Sequence, residues 1–230
     1  MSAQRLTGIS SMATRALLAD LATAYRQCSD IDVSFQSMGG VDAARRVEAG
    51  EAFDLVVLAA DAIDKLMASG RAAAGSRTDL VHSAVAVAVR TGTPRPDLGS
   101  EDALRLAVRS ARSIGYSTGP SGAALLRLFE RWGIADLVRA RLVQAPPGVP
   151  VGTLVARGDV ELGFQQRSEL MHLPGIDVIG EMPAGTQILT TFSAALCSAS
   201  TQPDAVRELL SFLCAPAAAP LKRRHGFEPA

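Results

Sequence analysis

The chain has 230 residues, 48% of them hydrophobic, and its 23 basic and 23 acidic side chains cancel to a formal net charge of zero. That balance excludes a globally basic surface for nucleic acid and an acid-rich disordered chain, and the apolar fraction suffices for one large or two modest soluble α/β domains. Cys28, Cys197 and Cys214 are odd in number and widely spaced, which favours neither a disulfide framework nor a zinc site.

In chain order, RLTGI reads as a short strand and ATRALLADLATAYRQ as a helix. IDVSFQ is a second strand, SMGG a turn, and VDAARRVEAG a helix that Gly50 ends. FDLVVLA is a continuous apolar run of the kind that forms a strand buried on both faces. DAIDKLMASG follows as a helix, with Asp61 as its N-cap or, alternatively, a general base. LVHSAVAVAVR, residues 80–90, is a long alternating strand, and TGTPRPDLGS breaks the chain after it. Ser100 caps the helix SEDALRLAVRSA, whose first turn carries two acids that suit the helix dipole. In SIGYSTGPSGAALLRLFERWG a short strand stops at Tyr116, hydroxyls and glycines crowd a turn, and Pro120 opens a helix that Gly133 closes. RLVQAPPGVPVGTLVARG is a strand, a turn and a helix. VELGF leads into QQRSEL, IDVIGEM is a strand, QILTTFSAALC a long β-rich segment, and DAVRELLSFLC a closing helix. Strand and helix alternate throughout, which predicts a largely parallel sheet covered on both faces.

The N-terminal segment has no uninterrupted apolar stretch of signal-peptide length, since Arg15 and Asp20 break its one candidate, and no transmembrane run occurs elsewhere. This predicts a cytoplasmic protein if the start is native, a periplasmic one if a leader has been removed, and no membrane insertion in either case. The three histidines, His82, His172 and His225, form no HxxxH or HExxH pattern, so no metal is expected; His82 reads as a buried, hydrogen-bonded structural residue or a proton carrier. GPSG at 119–122 is not a GxSxG elbow, and neither GxGxxG nor GxxxxGK[ST] occurs, so no nucleotide or other cofactor is expected. Oligomeric state is left open.

Four strand-to-helix turns carry neutral hydrogen-bond donors: Ser10 and Ser11; Ser37, Gly39 and Gly40; Thr118, Gly119 and Ser121; and Gln165 with Gln166. Ligands of parallel sheets bind beyond the carboxyl ends of the strands, so all four turns fall on functional edges. Hydroxyls and free helix-end amides form charge-assisted bonds to an oxyanion, and if the chain makes two lobes these donors line one cleft around a small anion. Independent helix capping is the competing reading of the same residues. Arg15 and Arg167, just past two of these turns, are placed to pair a carboxylate bidentately or to sit on solvated helix faces.

The stretch GGVDAARRVEAGEAFDLVVLAADAIDKLMASG, with its glycine turn, helix ending in Ala-Gly, apolar strand opened by Asp, and second helix ending in Gly, resembles the molybdate-binding branch of the type 2 periplasmic solute-binding proteins. The order of elements is similar over nearly the whole chain. The resemblance implies two α/β lobes joined by two crossover strands, here LVHSAVAVAVR and QILTTFSAALC, with residues 1–82 and 193–230 in the first lobe and 83–192 in the second. It implies an anion held in the interlobe cleft by hydroxyls and main-chain amides, with the family's Ala-Ser turn replaced by Ser10-Ser11. Gln166 stands where the family often has a tyrosine hydroxyl, and the main-chain donor falls near Pro147 and Gly148, where Pro147 cannot donate. The expected function is binding of an oxyanion or compact carboxylate. The alternative, from enzymes of the same superfamily such as aconitate isomerase, is cofactor-free isomerisation of a small unsaturated polycarboxylate.

Overall fold

A computed structural model describes residues 4–230. The chain divides into two compact units: one runs to His82 and resumes at Thr191–Ala230, the other is Ser83–Thr190. Two strands, β4 (Thr78–Arg90) and β9 (Leu189–Leu196), each carry the chain from one unit into the other.

The first unit contains β1 (Gln4–Ser11), α1 (Arg15–Arg26), β2 (Ile31–Met38), α2 (Gly40–Glu48), β3 (Leu55–Ala59) and α3 (Ala60–Ala68) before β4. After β9 it is completed by α9 (Pro203–Cys214), α10 (Ala219–Arg224) and β10 (Glu228–Pro229). Strands β2, β1 and β3 are parallel neighbours and β9 runs antiparallel to β3. The apolar run of β3 has the physical cause expected of a doubly covered strand. Leu55 and Val57 join the core beneath α1 and α9, whereas Val56 and Leu58 join the core of α2 and α3 on the other face. The charged segment after α9 forms α10 and β10, and β10 pairs Glu228 with His82 of β4. Lys222 anchors it: the ammonium is buried and donates to the Leu80 carbonyl at 2.9 Å.

The second unit adds α4 (Glu101–Ser110), β5 (Ile114–Tyr116), α5 (Pro120–Arg131), α6 (Ala135–Val138), β6 (Leu142–Gln144), α7 (Val151–Arg157), β7 (Leu162–Gln166), α8 (Arg167–Leu170) and β8 (Ile176–Glu181). Its strand order is β4-β7-β5-β6, with β5, β6 and β7 parallel and β4 antiparallel to both β7 and β8. The alternation of β4 again divides two faces. Val85, Val87 and Val89 lie in the core with Leu104, Leu125 and Phe129, and Ala86 and Ala88 face Leu170 of α8. Ser100 caps α4 by accepting from the Ala103 amide at 3.1 Å, as its sequence position indicates.

Two local expectations need correction. The cap residue of α3 is Ala59, with no side-chain cap, and Asp61 is an exposed residue of the first helical turn, because the helix begins two residues earlier than an Asp61 cap implies. His82 is exposed rather than buried; its Nδ1 lies 3.0 Å from the Thr191 hydroxyl.

Candidate functional site

The strand ends extend further than sequence indicates. β1 continues through Ser10 and Ser11, β2 through Ser37, and β7 through Gln165 and Gln166, because Ser and Gln satisfy a ladder as well as a turn. The parallel register of β1 and β2 sets Ser10 opposite Ser37, and the two hydroxyl oxygens are 2.8 Å apart. Ser10 is fully buried and also donates to the Ser11 carbonyl at 3.3 Å. Ser11 caps the 3₁₀ turn Met12–Thr14 by accepting from the Ala13 amide at 3.2 Å. Gly39 caps α2 and Gly40 begins it, and a Cβ at either would meet only ordinary contacts. Arg15 opens α1 as an exposed cation, and among the described residues no carboxylate or hydrogen-bond acceptor holds it. Ser10, Ser11, Ser37, Gly39, Gly40 and Arg15 thus all belong to one edge of the first unit's sheet.

A hollow of about 480 Å³ in the first unit lies elsewhere. Leu196 lines it together with Ser76, Arg207 and Cys214, and Leu196 pairs with the first residue of β3, at the sheet edge opposite the serines.

In the second unit, Gly119 caps α5 and Pro120 occupies its first turn. The hydroxyls of Ser117 and Ser121 are 3.1 Å apart, Ser121 being buried and Thr118 exposed. The turn closes so tightly on the helix that a Cβ at Gly122 would lie 1.9 Å from the Ser117 carbonyl oxygen. β5 and β7 are parallel neighbours, so this turn and the glutamines share the carboxyl edge of that unit's sheet.

The two glutamines diverge. Gln166 pairs across from Val85 and is 4% exposed; its Nε2 donates to the Thr190 hydroxyl at 2.8 Å, leaving Oε1 without a partner. Gln165, on the opposite face, accepts the Val151 amide at 2.7 Å and donates to the Glu169 carboxylate. The amide that opens α7 is therefore already spent. Burial raises the Glu169 carboxyl to about 7, and the Gln165 hydrogen bond opposes that rise. Arg167 is engaged by Glu181, its Nη1 being 3.2 Å from Oε1. Glu169, Ser83 and Thr190 went unread in the sequence: the first sits in an ordinary helical stretch and the others in alternating strands, and none lies in a recognisable motif. Among the described residues no group of three His, Cys, Asp or Glu side chains is placed to hold a metal, and no helix is long and apolar enough to cross a membrane.

Residues 6–228 match the family model described as bacterial extracellular solute-binding protein. The chain belongs to that family. Over 232 aligned residues it is 38% identical to a protein named aconitate isomerase from a Pseudomonas species, covering 97% of this chain and 87% of the relative. Its fold superposes on the periplasmic molybdate-binding protein of Azotobacter vinelandii with a TM-score of 0.79 at 20% identity, over 96% of this chain and 98% of that one. The sulfate-binding protein SubI of Mycobacterium tuberculosis H37Rv gives 0.78 at 17% identity, over 99% and 87%. At such identities the structural likeness establishes the fold, that of the type 2 solute-binding proteins with two crossover strands, and the activity has to be argued from the site.

Proposed function

We propose that this protein binds a small unsaturated polycarboxylate and moves its double bond by an allylic proton shift. The observation that carries this reading is the 38% identity, over nearly the full length of the chain, to an aconitate isomerase. The local chemistry is compatible with it. Arg15, the first residue of α1 on the sheet edge that carries Ser10, Ser11 and Ser37, offers an unengaged guanidinium, and Thr118, Gly119 and Ser121 supply neutral donors in the second unit. In the reaction an enzyme base removes a methylene proton, the C–H electrons form the new double bond, the old π pair moves to the former vinyl carbon, and that carbon takes a proton. No oxidant, reductant or cofactor enters the balance.

A second reading, binding of an oxyanion without chemistry, is favoured by the fold shared with molybdate- and sulfate-binding proteins. Thermal shift and titration calorimetry with cis- and trans-aconitate, citrate, molybdate, tungstate and sulfate separate the two, because a true ligand raises the melting temperature by mass action. The isomerase reading expects aconitate to stabilise the protein and to interconvert on chromatography. Arg15→Ala is expected to weaken aconitate about tenfold, the scale of one charge-assisted bond. Arg167→Ala, whose guanidinium Glu181 already engages, costs less. Stabilisation by molybdate or sulfate alone, with aconitate inert, replaces this reading with the second.

A further inference from the structure

The hollow of about 480 Å³ in the first unit contains none of the residues assigned to the polycarboxylate. One of its walls is α9. Arg207, Leu210, Ser211 and Cys214 line it, and their spacing of i, i+3, i+4 and i+7 sets them on one face of the helix. Leu210 is buried, whereas Arg207, Ser211 and Cys214 are exposed. The facing wall is the turn Ala73-Ala74-Gly75-Ser76, with Thr78 beyond it. Gly75 takes the positive φ of 73° that closes this turn, and the Ser76 amide donates to the Ala73 carbonyl at 3.1 Å. The turn is also pinned to β9 on both sides of Leu196: the Ala73 amide donates to the Leu196 carbonyl at 2.8 Å, and the Leu196 amide donates to the Ser76 hydroxyl oxygen at 3.2 Å. Leu196 is therefore a fixed, buried apolar floor. Walls already held by hydrogen bonds lose little conformational freedom when a guest enters.

The polar groups of the lining narrow the chemistry of that guest. The hydroxyl protons of Ser76, Thr78 and Ser211 are directed at the carbonyls of Ala73, Ser76 and Arg207, at 2.7, 3.4 and 3.0 Å. The Cys214 thiol is directed at the Asp79 carbonyl at 3.8 Å. What these groups leave for a guest is lone pairs, so the donor that remains is Arg207, which is also the charged side chain of the lining. Its Nη1 bonds to Asp204 three residues earlier, which occupies one of the five N–H donors of the guanidinium. Both partners of that pair are well exposed, so water screens it and it contributes little. A carboxylate can therefore join the guanidinium while an apolar body covers Leu196 and Leu210. A tricarboxylate fits poorly, because its other charges would face apolar walls and hydroxyl lone pairs. The volume lies within the roughly 300–1,000 Å³ typical of small-molecule pockets.

We propose that this hollow is a second ligand site, for a small monocarboxylate with an apolar body, whose carboxylate pairs with Arg207 and whose hydrocarbon part lies over Leu196 and Leu210. The site shares no residue with the serine edge of the same unit. It stands whether or not the polycarboxylate reading does, since a different ligand occupies it.

Cys214 on the rim is a built-in reporter, and Cys28, exposed but outside the lining, is its internal control. The test is alkylation of the full chain by the neutral reagent N-ethylmaleimide, read by mass spectrometry of the two cysteine peptides, with phenylacetate at millimolar concentration as the probe. Phenylacetate is expected to slow alkylation of Cys214 several-fold and to leave Cys28 unchanged. Phenylacetamide, of the same shape without the charge, and trans-aconitate are expected to protect far less. In calorimetric titration Arg207→Ala, a change at an exposed residue that leaves the fold intact, is expected to weaken phenylacetate about tenfold, the scale of one charge-assisted bond. Unaltered alkylation of Cys214, equal slowing at Cys28, or equal protection by the amide or by trans-aconitate overturns the inference. So does protection retained in Arg207→Ala.

Discussion

The two units place hydroxyls and amides at the carboxyl ends of their parallel strands, yet they treat them differently. In the first unit the buried polar atoms serve one another: Ser10 meets Ser37, Ser11 caps the following turn, and the cation Arg15 is the group left unengaged. In the second, the buried atoms Ser83 Oγ, Gln166 Oε1 and Ser168 Oγ have no partner, while the arginine at the strand end is held by Glu181. Satisfied hydroxyls contribute to stability in the absence of a ligand, whereas unsatisfied ones cost stability until something arrives. The first unit's edge is thus set in advance and offers charge, whereas the second carries buried polar atoms that cost stability.

The largest effect expected to sharpen this contrast is at the glycines. Gly122→Ala drives a Cβ into the Ser117 carbonyl, which cannot yield without opening the turn, and is expected to cost about 3 kcal/mol or more in chemical denaturation. Gly39→Ala in the first unit, where the nearest atom to a new Cβ is 3.4 Å away, is expected to stay within about 0.5 kcal/mol. Equal losses at the two sites would remove the distinction between a tight turn and an open one.

Next in size is the pH response of the second unit. Glu169 rises to about 7 in the fold through burial, so the native state holds a proton that the unfolded chain releases near the ordinary carboxylate value of 4.5. The stability contributed by this group is present below about pH 4.5 and declines as pH rises through 7, by on the order of 3 kcal/mol in all. Glu169→Gln is expected to flatten that part of the stability profile and to exceed the wild type above pH 7. A profile unchanged by the substitution would place the titration elsewhere.

Smaller still is the serine pair. Ser37→Ala strips the buried Ser10 hydroxyl of its best partner and is expected to cost about 1 kcal/mol, with the Ser10→Ala/Ser37→Ala double variant losing no more than the worse single one. Ser83→Ala reverses the sign: it deletes an uncompensated buried hydroxyl and is expected to be neutral or stabilising by up to about 1 kcal/mol without ligand. Both substitutions destabilising alike would mean that Ser83 has a partner after all.

Much of this architecture could be read directly from the residues. The alternation of strands with amphipathic helices, the doubly buried run Leu55–Ala59 and the glycines that end helices each have a local cause, and the positive φ of Gly50, Gly70 and Gly133 follows from their place after a helix. Ser10 and Ser37 could be nominated singly, but their contact depends on a strand register that no local pattern encodes. The boundary errors at Ser11, Ser37 and Gln166 share a cause: these residues suit either a strand end or a turn, and the neighbouring strand decides. Ser83 and Thr190 look like ordinary members of alternating strands, and Glu169 like an ordinary helical acid, until tertiary burial makes one unsatisfied and raises the pKa of another. The charges of the closing segment PLKRRHGFEP give no local sign that Lys222 is buried on the Leu80 carbonyl.

The central claim is that the chain moves a proton on a bound polycarboxylate. Proton magnetic resonance of cis- or trans-aconitate in deuterated water with the purified protein tests it most directly. The account expects the vinyl and methylene signals to lose intensity to deuterium while the two isomers interconvert, and Arg15→Ala to slow both. Undiminished signals in the presence of a protein that molybdate or sulfate stabilises against heat would contradict it.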